Sequence, residues 1–222
     1  MPRREVFESE LQRLQDEMLL LASMVDQALG SAIEALRYLN ATEAQRIMRA
    51  DREINAKRFA IEEMAVTTIA TQQPMARDLR TILAVLHITV ELERMGDYAA
   101  GIARIVLMHG EHELLKPLID VPRMADLDRA MLRRSLDAFV ARDAELAKRV
   151  AAEDDQVDAL YDQVYRELLT YMLQDARTID RATWLLWVAH DLERIADRVT
   201  NICERVVFLV TGRMEETNVS TC

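Results

Sequence analysis

The sequence predicts an all-α protein, and three observations support this fold class. Glycine (5), proline (4) and aromatic residues (5%) are scarce among the 222 residues, and 50% are hydrophobic, a composition typical of long helices. Apolar residues recur at helical spacing along most of the chain. The segment LERMGD at 92–97 returns as LERIAD at 192–197. We therefore predict a tandem repeat of two three-helix bundles, with six long antiparallel helices in all.

Three helices are predicted in the first repeat. Apolar residues at helical spacing between Leu11 and Leu36 place the first helix at 5–39. Asn40 is a good N-cap for a second helix at 41–70, which ends at the sequence Thr-Gln-Gln-Pro. The third helix begins near residue 75 and ends before Gly110, because glycine is favoured just after a helix C-terminus.

The second repeat follows a stretch rich in Gly, Pro and charged residues at 110–122, which we interpret as a linker. This places the first repeat at 1–112 and the second at 113–222. Pro122 suits the first turn of a fourth helix that extends to 141. Asp143 is the expected N-cap of a fifth helix ending near 173, and Asp180 that of a sixth ending near Gly212.

The repeats align over two segments. Residues 40–55 match 143–158 without gaps, and the third helix matches the sixth around LERMGD and LERIAD. The two alignments differ by three residues, which places a length difference near the Gln-Gln-Pro turn. Length differences of this kind are usual in loops.

Charge and composition exclude several classes of function. The formal net charge is −10, and Lys and Arg are interleaved with acidic residues, so a nucleic-acid partner is not expected. Cys203 and Cys222 lack metal-ligand spacing and suit a reducing compartment. We find no signal peptide and no apolar run near the ~18 residues of a spanning helix. We expect a cytoplasmic protein that reaches a membrane only through its partners.

Acidic side chains are paired one helical turn apart in both repeats. The pairs are Asp51 with Asn55 and Glu93 with Asp97 in the first repeat, and Asp154 with Asp158 and Glu193 with Asp197 in the second. Like charges at this spacing destabilise a helix. Antiparallel neighbouring helices would bring two pairs together, and such oxygen-only clusters suit magnesium, manganese, iron or calcium. The alternative is a solvated acidic face, neutralised by arginines or by a salt-bridged helix contact.

The acidic stripe extends further in the second repeat. Asn201 and Glu204 continue the face of the sixth helix, whereas Gly101 and Arg104 stand at the matching positions of the third. This difference predicts a poorer metal site in the first repeat.

No residue pattern supports catalysis. The chain has no Gly-rich phosphate loop, no nucleophile elbow and no spaced Cys/His set. A ferritin-like di-iron enzyme needs Glu-x-x-His on its core helices, but Gly96 and Ala196 follow the two glutamates instead. A carboxylate-bridged metal store or metalloenzyme is therefore the disfavoured alternative.

Longer motifs resemble a known family. They are TQQPMARDLR (71–80) followed by ELERMGD in the first repeat, and LTYMLQDARTI (169–179) followed by LERIADRVTNICERVVFLVTG in the second. In order and spacing these motifs are similar to those of the phosphate transport system regulatory protein PhoU family. The resemblance covers nearly the whole chain, and each half resembles one PhoU repeat.

The resemblance implies a function that periodicity could not show. PhoU proteins are cytoplasmic negative regulators of phosphate uptake and of the phosphate-starvation regulon. They act as adaptors between the ATPase subunit of the Pst phosphate ABC transporter and a phosphate-sensing histidine kinase, and a homodimer is expected. An alternative with the same fold is an accessory protein of another phosphate permease.

The resemblance also implies metal clusters bound by paired E(D)xxxD motifs on the bundle surface. The matching positions are Asp51, Asn55, Glu93 and Asp97 in the first repeat and Asp154, Asp158, Glu193 and Asp197 in the second. The metals would be divalent or trivalent ions such as iron, manganese, magnesium or zinc.

Two residues depart from the family pattern. Ala196 stands where the motif usually has Gly, and its methyl group could limit close approach at that helix face. Asn55 offers only a carbonyl oxygen, which weakens the charge balance of the first cluster. We therefore predict stronger metal binding in the second repeat.

Overall fold

A computed structural model describes residues 3–110 and 112–213 and confirms the all-α fold class. Residues 1–2, 111 and 214–222, including Cys222, lie outside the described part of the chain. No strand occurs among the described residues. The helices are α1 (Arg3–Arg37), α2 (Ala41–Gln72), α3 (Arg77–His109), α4 (Asp120–Ala141), α5 (Ala144–Ala151), α6 (Asp154–Gln174) and α7 (Ile179–Thr211).

The first bundle consists of α1, α2 and α3, each packed against the other two. The side chain of Asn40 accepts a hydrogen bond from the Glu43 N–H at 3.1 Å, which confirms the predicted N-cap of α2. At the other end of α2, Gln73 adopts a left-handed conformation with φ 49° and its N–H donates to the Ile69 carbonyl. The predicted stop before Pro74 is therefore correct.

The second bundle differs from the prediction because its middle helix is interrupted. Instead of one helix at 143–173, α5 ends at Ala151 and α6 begins at Asp154. The Glu153 N–H donates to the Val150 carbonyl at 3.0 Å, a tight i−3 bond that interrupts the α-helical series. The Glu153 side chain is paired with Arg134 of α4. In the first repeat α2 continues without this break.

Two predicted helix starts in the second repeat need correction. The fourth helix begins at Asp120, two residues before Pro122, which lies inside the first turn. Asp180 does not cap α7, because α7 begins at Ile179 after a 3₁₀ turn, Ala176–Thr178, that is capped by Asp175. Only Asp143, whose side chain accepts from the Leu146 N–H at 2.9 Å, acts as the predicted cap.

The connections after α1 and α4 have the same geometry. The Asn40 N–H donates to the Ala35 carbonyl at 2.8 Å, and the Asp143 N–H donates to the Ala138 carbonyl at 2.9 Å. Because both the spacing and the hydrogen bond are conserved between the repeats, α1 and α4 align without a gap. The structural repeat therefore extends beyond the segment that sequence alone aligned.

The two bundles join through α3 with α7 and through α1 with α4, and one continuous apolar core runs through both. The same pair of repeat positions makes contact twice at this junction, once in each direction. The Asn201 amide donates to Glu91 at 3.3 Å, while Asp191, the counterpart of Glu91, lies against Gly101, the counterpart of Asn201. This exchange indicates an approximate two-fold relation between the repeats. The predicted boundary at residues 112 and 113 falls in the connection between α3 and α4.

One helix is more apolar than the sequence analysis allowed. By length and composition alone, residues 4–37 in α1 could cross a membrane. However, Leu14, Met18 and Leu21 on this helix are fully buried in the core. A buried core helix passes the same test, so the apolar character of α1 is explained by its packing.

Candidate metal centres

The first acidic set brings together Asp51 of α2 with Glu93 and Asp97 of α3. Burial raises the pKa of Asp51 above its ordinary value, and the charge of Glu93 adds to this rise. Burial and the charge of Asp51 likewise raise the pKa of Asp97. Asp51 Oδ1 is buried without a hydrogen-bond partner in the described structure. Three of the four predicted residues therefore form one electrostatically coupled set.

Positive and amide groups already contact this first set. The Arg58 guanidinium donates to Glu93 Oε1 at 3.0 Å, and a second nitrogen of Arg58 donates to Glu62 at 2.9 Å. The Asn55 amide donates to Asp51 Oδ2 at 3.1 Å. Asn55 thus directs its NH₂ group towards Asp51 and provides a hydrogen bond to the Asp51 carboxylate. An acidic residue at position 55 would repel that carboxylate.

The second acidic set consists of Asp158 of α6 with Glu193 and Asp197 of α7. Burial raises the pKa of Glu193, and the charge of Asp197 adds to this rise. Burial and Asp197 raise the pKa of Asp158 in the same way. His190 Nδ1 lies 3.4 Å from Glu193 Oε2, and Arg194 lies 2.7 Å from Asp197 Oδ2. Glu193 and Asp197 therefore each have a histidine or arginine side chain as a close neighbour on the same helix.

Asp154, the fourth predicted residue of the second set, is largely buried. Its exposed fraction is 3%, whereas Asp158 one turn later is exposed. The charge of Asp154 acts on Asp128, a fully buried residue of α4. Asp128 was not among the predicted site residues, although an acidic residue on the apolar face of a predicted amphipathic helix was an available signal.

Asn201 does not extend the second set as predicted. Its amide donates to Glu91 of α3 at 3.3 Å, and Arg198 contacts the same Glu91 oxygen at 3.3 Å. Asn201 therefore serves the junction between the repeats.

The departure at Ala196 has a packing explanation. A Cβ atom added to Gly96 would lie 3.1 Å from Ile54 Cγ2 and 3.2 Å from Ile54 Cδ1 of α2, and both distances are tighter than ordinary contact. Valine lacks the Cδ1 atom. In the second repeat the counterpart of Ile54 is the smaller Val157, and both Val157 and Ala196 are fully buried. One repeat has the larger side chain on its middle helix and the other has an added methyl group on its third helix. The methyl group of Ala196 fills core space, so it does not obstruct the acidic face.

The donor chemistry of both sets suits hard cations, since every candidate ligand is an oxygen atom. In the described part of the chain, however, no group of three or more His, Cys, Asp and Glu side chains is arranged to hold a metal ion. Arg58 and Arg194 contact carboxylates that a cation would need. Metal binding at either set would therefore require these arginine side chains to turn away.

Comparisons with known proteins agree with the fold and the repeat. The model of the PhoU domain family matches residues 18–106 and again 121–206. The phosphate-specific transport system accessory protein PhoU homolog of Clostridium acetobutylicum is 36% identical over 219 residues, covering 97% of this chain and 99% of that protein. The accessory protein PhoU of Escherichia coli K12 is 35% identical over 93% of this chain and 86% of its own.

Solved structures give the same result. The crystal structure of PhoU from Pseudomonas aeruginosa superposes with a TM-score of 0.88 at 35% identity, covering 93% of this chain and all of that one. PhoU from Streptococcus pneumoniae superposes with a TM-score of 0.87 at 33% identity, covering 94% of this chain and 99% of that one. These relatives are named as accessory or regulatory proteins, and none of the names denotes an enzyme. The chain belongs to the PhoU family.

Proposed function

We propose that this protein is a negative regulator of phosphate uptake and of the phosphate-starvation regulon. It acts as an adaptor between the ATPase subunit of the Pst phosphate ABC transporter and a phosphate-sensing histidine kinase, at the cytoplasmic face of the membrane. The match to the PhoU domain in both repeats carries this proposal. Relatives that this chain covers over 86–99% of their length bear the name of phosphate-specific transport accessory proteins.

An adaptor needs an exposed surface rather than a catalytic cleft. On α6, Tyr165, Leu169 and Leu173 follow one another at one-turn intervals and are exposed, Leu173 by 80%. Trp187 of α7 is 48% exposed as well. Exposed apolar stripes of this kind mark protein contacts. We propose that α6 contributes to partner docking or to a homodimer.

Retention of partners tests the adaptor role. The immobilised protein should retain the transporter ATPase and the histidine kinase from a phosphate-replete lysate, and replacement of Leu169 and Leu173 by Glu should reduce retention of at least one of them. Thr170→Glu, an exposed neighbour on the same helix, is the matched control. Failure to retain either partner at any phosphate concentration would contradict the proposal.

We propose in addition that the two acidic sets bind metal, with iron, manganese, magnesium or zinc as candidates. The support is the oxygen-only donor set and the rise in the pKa of Asp51 and of Glu193, which burial and a neighbouring carboxylate cause in each set. Elemental analysis of the purified protein beside the Asp154→Ala, Glu193→Ala double variant tests this assignment. Equal metal content in the two samples would contradict it and would leave the adaptor role intact.

A further inference from the structure

Three arginine residues lie at the end of the molecule where α3 begins and α4 ends. Arg77 and Arg80 belong to the first turn of α3, and Arg142 directly follows the last residue of α4. We call these three residues the arginine set. The whole chain carries a formal net charge of −10, so a group of cations is unusual on it. Like charges held near one another repel unless an anion lies between them.

The arginine set surrounds Thr81 of α3. Arg80 and Thr81 follow Arg77 by three and four residues, so these three residues share one face of the helix. The Arg142 guanidinium donates to Thr81 Oγ1 at 3.4 Å, and the Thr81 hydroxyl donates to the Arg77 carbonyl at 3.1 Å. The guanidinium carbon of Arg80 lies 4.0 Å from the position that a Cβ atom of Gly212 would occupy. The ends of α3, α4 and α7 therefore meet at this set.

Neighbouring acids do not balance the charge of the arginine set. Arg80 Nε is buried without a hydrogen-bond partner, and none of the three arginines forms an ion pair within residues 3–110 and 112–213. Burial lowers the pKa of Arg142, the charge of Arg77 lowers it further, and Asp78 is the one acid that opposes them. Three cations are thus accompanied by one carboxylate, which leaves the set with a net positive charge.

The equivalent place at the start of α7 lacks such a set. In the same order, the counterparts of the three arginines are Arg177, Asp180 and Leu39. The Arg177 guanidinium is already paired, since it donates to Asp175 at 2.8 Å. Leu39 and Arg142 have the same left-handed backbone, with φ 48° and 53°. The connection after the helix therefore does not itself require an arginine, and the cation at position 142 needs another explanation.

We propose that the arginine set binds free inorganic phosphate as the HPO₄²⁻ dianion. Guanidinium groups donate paired hydrogen bonds to phosphate oxygen atoms, and a set with net positive charge suits a dianion. Asp78 provides selectivity, because its carboxylate accepts the hydrogen that HPO₄²⁻ carries and repels dianions that carry none. The biological meaning of this binding rests on the proposed phosphate regulation. The binding itself is measured without either partner, so the two proposals can fail separately.

Equilibrium dialysis of the full chain against radiolabelled phosphate tests the proposal, at pH 8 and low ionic strength because salt screens such binding. Arg142→Leu removes one cation and introduces the residue found on the same backbone at Leu39, and Arg80→Gln removes a second cation. We expect each variant to bind phosphate at least about tenfold more weakly, as the loss of a charge-assisted hydrogen bond requires. Arg177→Gln, which changes the counterpart of Arg77, is the matched control and should bind like the wild type.

Competition distinguishes phosphate from related anions. Sulfate and the dianion of phenyl phosphate carry no hydrogen for Asp78 to accept, so each should displace labelled phosphate at least about tenfold less effectively than unlabelled phosphate does. Asp78→Asn should narrow this difference. Equal displacement by sulfate would overturn the assignment to phosphate. Stronger displacement by phenyl phosphate would overturn it too, and would identify the ligand as a phosphoryl group carried by a larger molecule.

Thermal melting provides the second readout, because a ligand that binds the folded state raises the melting temperature. Phosphate should raise the melting temperature of the wild type and of Arg177→Gln more than that of Arg142→Leu or Arg80→Gln. Equal phosphate affinity in the wild type and in both of the latter variants would overturn the proposal. It would identify these arginines as partners of the C-terminal carbonyl groups of α4 and α7. Absence of phosphate binding to the wild type would overturn the proposal as well.

Discussion

The two repeats share one helix plan but distribute volume and charge differently. Ile54 packs on Gly96 in the first repeat, and Val157 packs on Ala196 in the second. Val25 is apolar, whereas its counterpart Asp128 is a buried acid. The difference shows that duplication conserved the backbone contacts that build the bundle, while single side chains diverged in compensating pairs.

The largest expected effect tests the equivalence of the two cores. Leu92 and Leu192 occupy the same position of the repeat and are both fully buried. Leu92→Ala and Leu192→Ala should each lower the free energy of unfolding by about 2–5 kcal/mol, because each leaves a cavity in packed helices. Urea denaturation measures both values. A loss in one variant only would show that the repeats are not equivalent in their packing.

The exchange of a methyl group between α2 and α3 gives the next effect. Gly96→Ala should destabilise the protein by roughly 1–3 kcal/mol, since the added methyl group meets Ile54. Adding Ile54→Val should restore part of this loss, because valine lacks the Cδ1 atom that would lie 3.2 Å from the new methyl group. The double variant reproduces the Val157–Ala196 combination of the second repeat. Chemical denaturation of the single and double variants measures the recovery. A double variant no more stable than Gly96→Ala would contradict the packing explanation.

The two N-caps should have equal and smaller effects. Asn40→Ala and Asp143→Ala should each cost about 1 kcal/mol, because each leaves an unpaired N–H in the first turn of its helix. Asp180→Ala should have little effect, since α7 is not capped by this residue. Thermal melting distinguishes the three variants, and a large effect of Asp180→Ala would contradict the assigned start of α7.

The smallest effect concerns the ion pair at the junction of α1 with α4. Asp26 accepts from Arg129 at 2.8 Å and from Arg133 at 2.8 Å. Burial alone would raise the pKa of Asp26, but these two arginines outweigh it and hold the pKa below 3.8. Asp26 aligns with Arg129, so near the two-fold each residue meets its own counterpart. Two identical charged residues at these positions would repel each other. Because one repeat has an aspartate and the other an arginine, the contact is attractive instead.

Asp26→Asn should lower stability by roughly 0.2–1 kcal/mol, because the pair is partly solvated. A folded-state pKa below the unfolded value means that the contribution is complete above about pH 4 and is lost as the pH falls through the lowered pKa. Denaturation at pH 7 and at pH 2 measures this dependence. The exchange of charges in Asp26→Arg with Arg129→Asp should recover part of the loss, whereas Asp26→Arg alone should not.

Much of the fold followed from periodicity and end signals. The repeated helical spacing of apolar residues predicted the arrangement of two three-helix bundles. Asn40 and Asp143 mark the starts of their helices, and Gly110 and Gly212 mark the ends of α3 and α7, as predicted. The break before Asp154 was not predictable, because Ala152 and Glu153 are good helix formers. It is found together with the Arg134–Glu153 pair and the burial of Asp154, which are tertiary contacts.

The candidate sites were predictable only in part for a related reason. The i, i+4 spacing identified which acids share a helix face, and three residues of each set are electrostatically coupled across two helices. Spacing could not show that Asp154 turns towards α4, or that Asn201 turns towards Glu91. The directions of these two side chains depend on how the neighbouring helices pack. The spacing of residues along one helix does not reveal that packing.

We propose that the second acidic set binds metal more tightly than the first, and one measurement tests this inequality most directly. Mn²⁺ binding should be compared in two matched variants, Glu93→Gln and Glu193→Gln, which change the same position of the two repeats. We expect Glu193→Gln to abolish the tighter class of sites and Glu93→Gln to retain it. Equal loss in both variants, or loss of the tighter class in Glu93→Gln alone, would contradict the proposal.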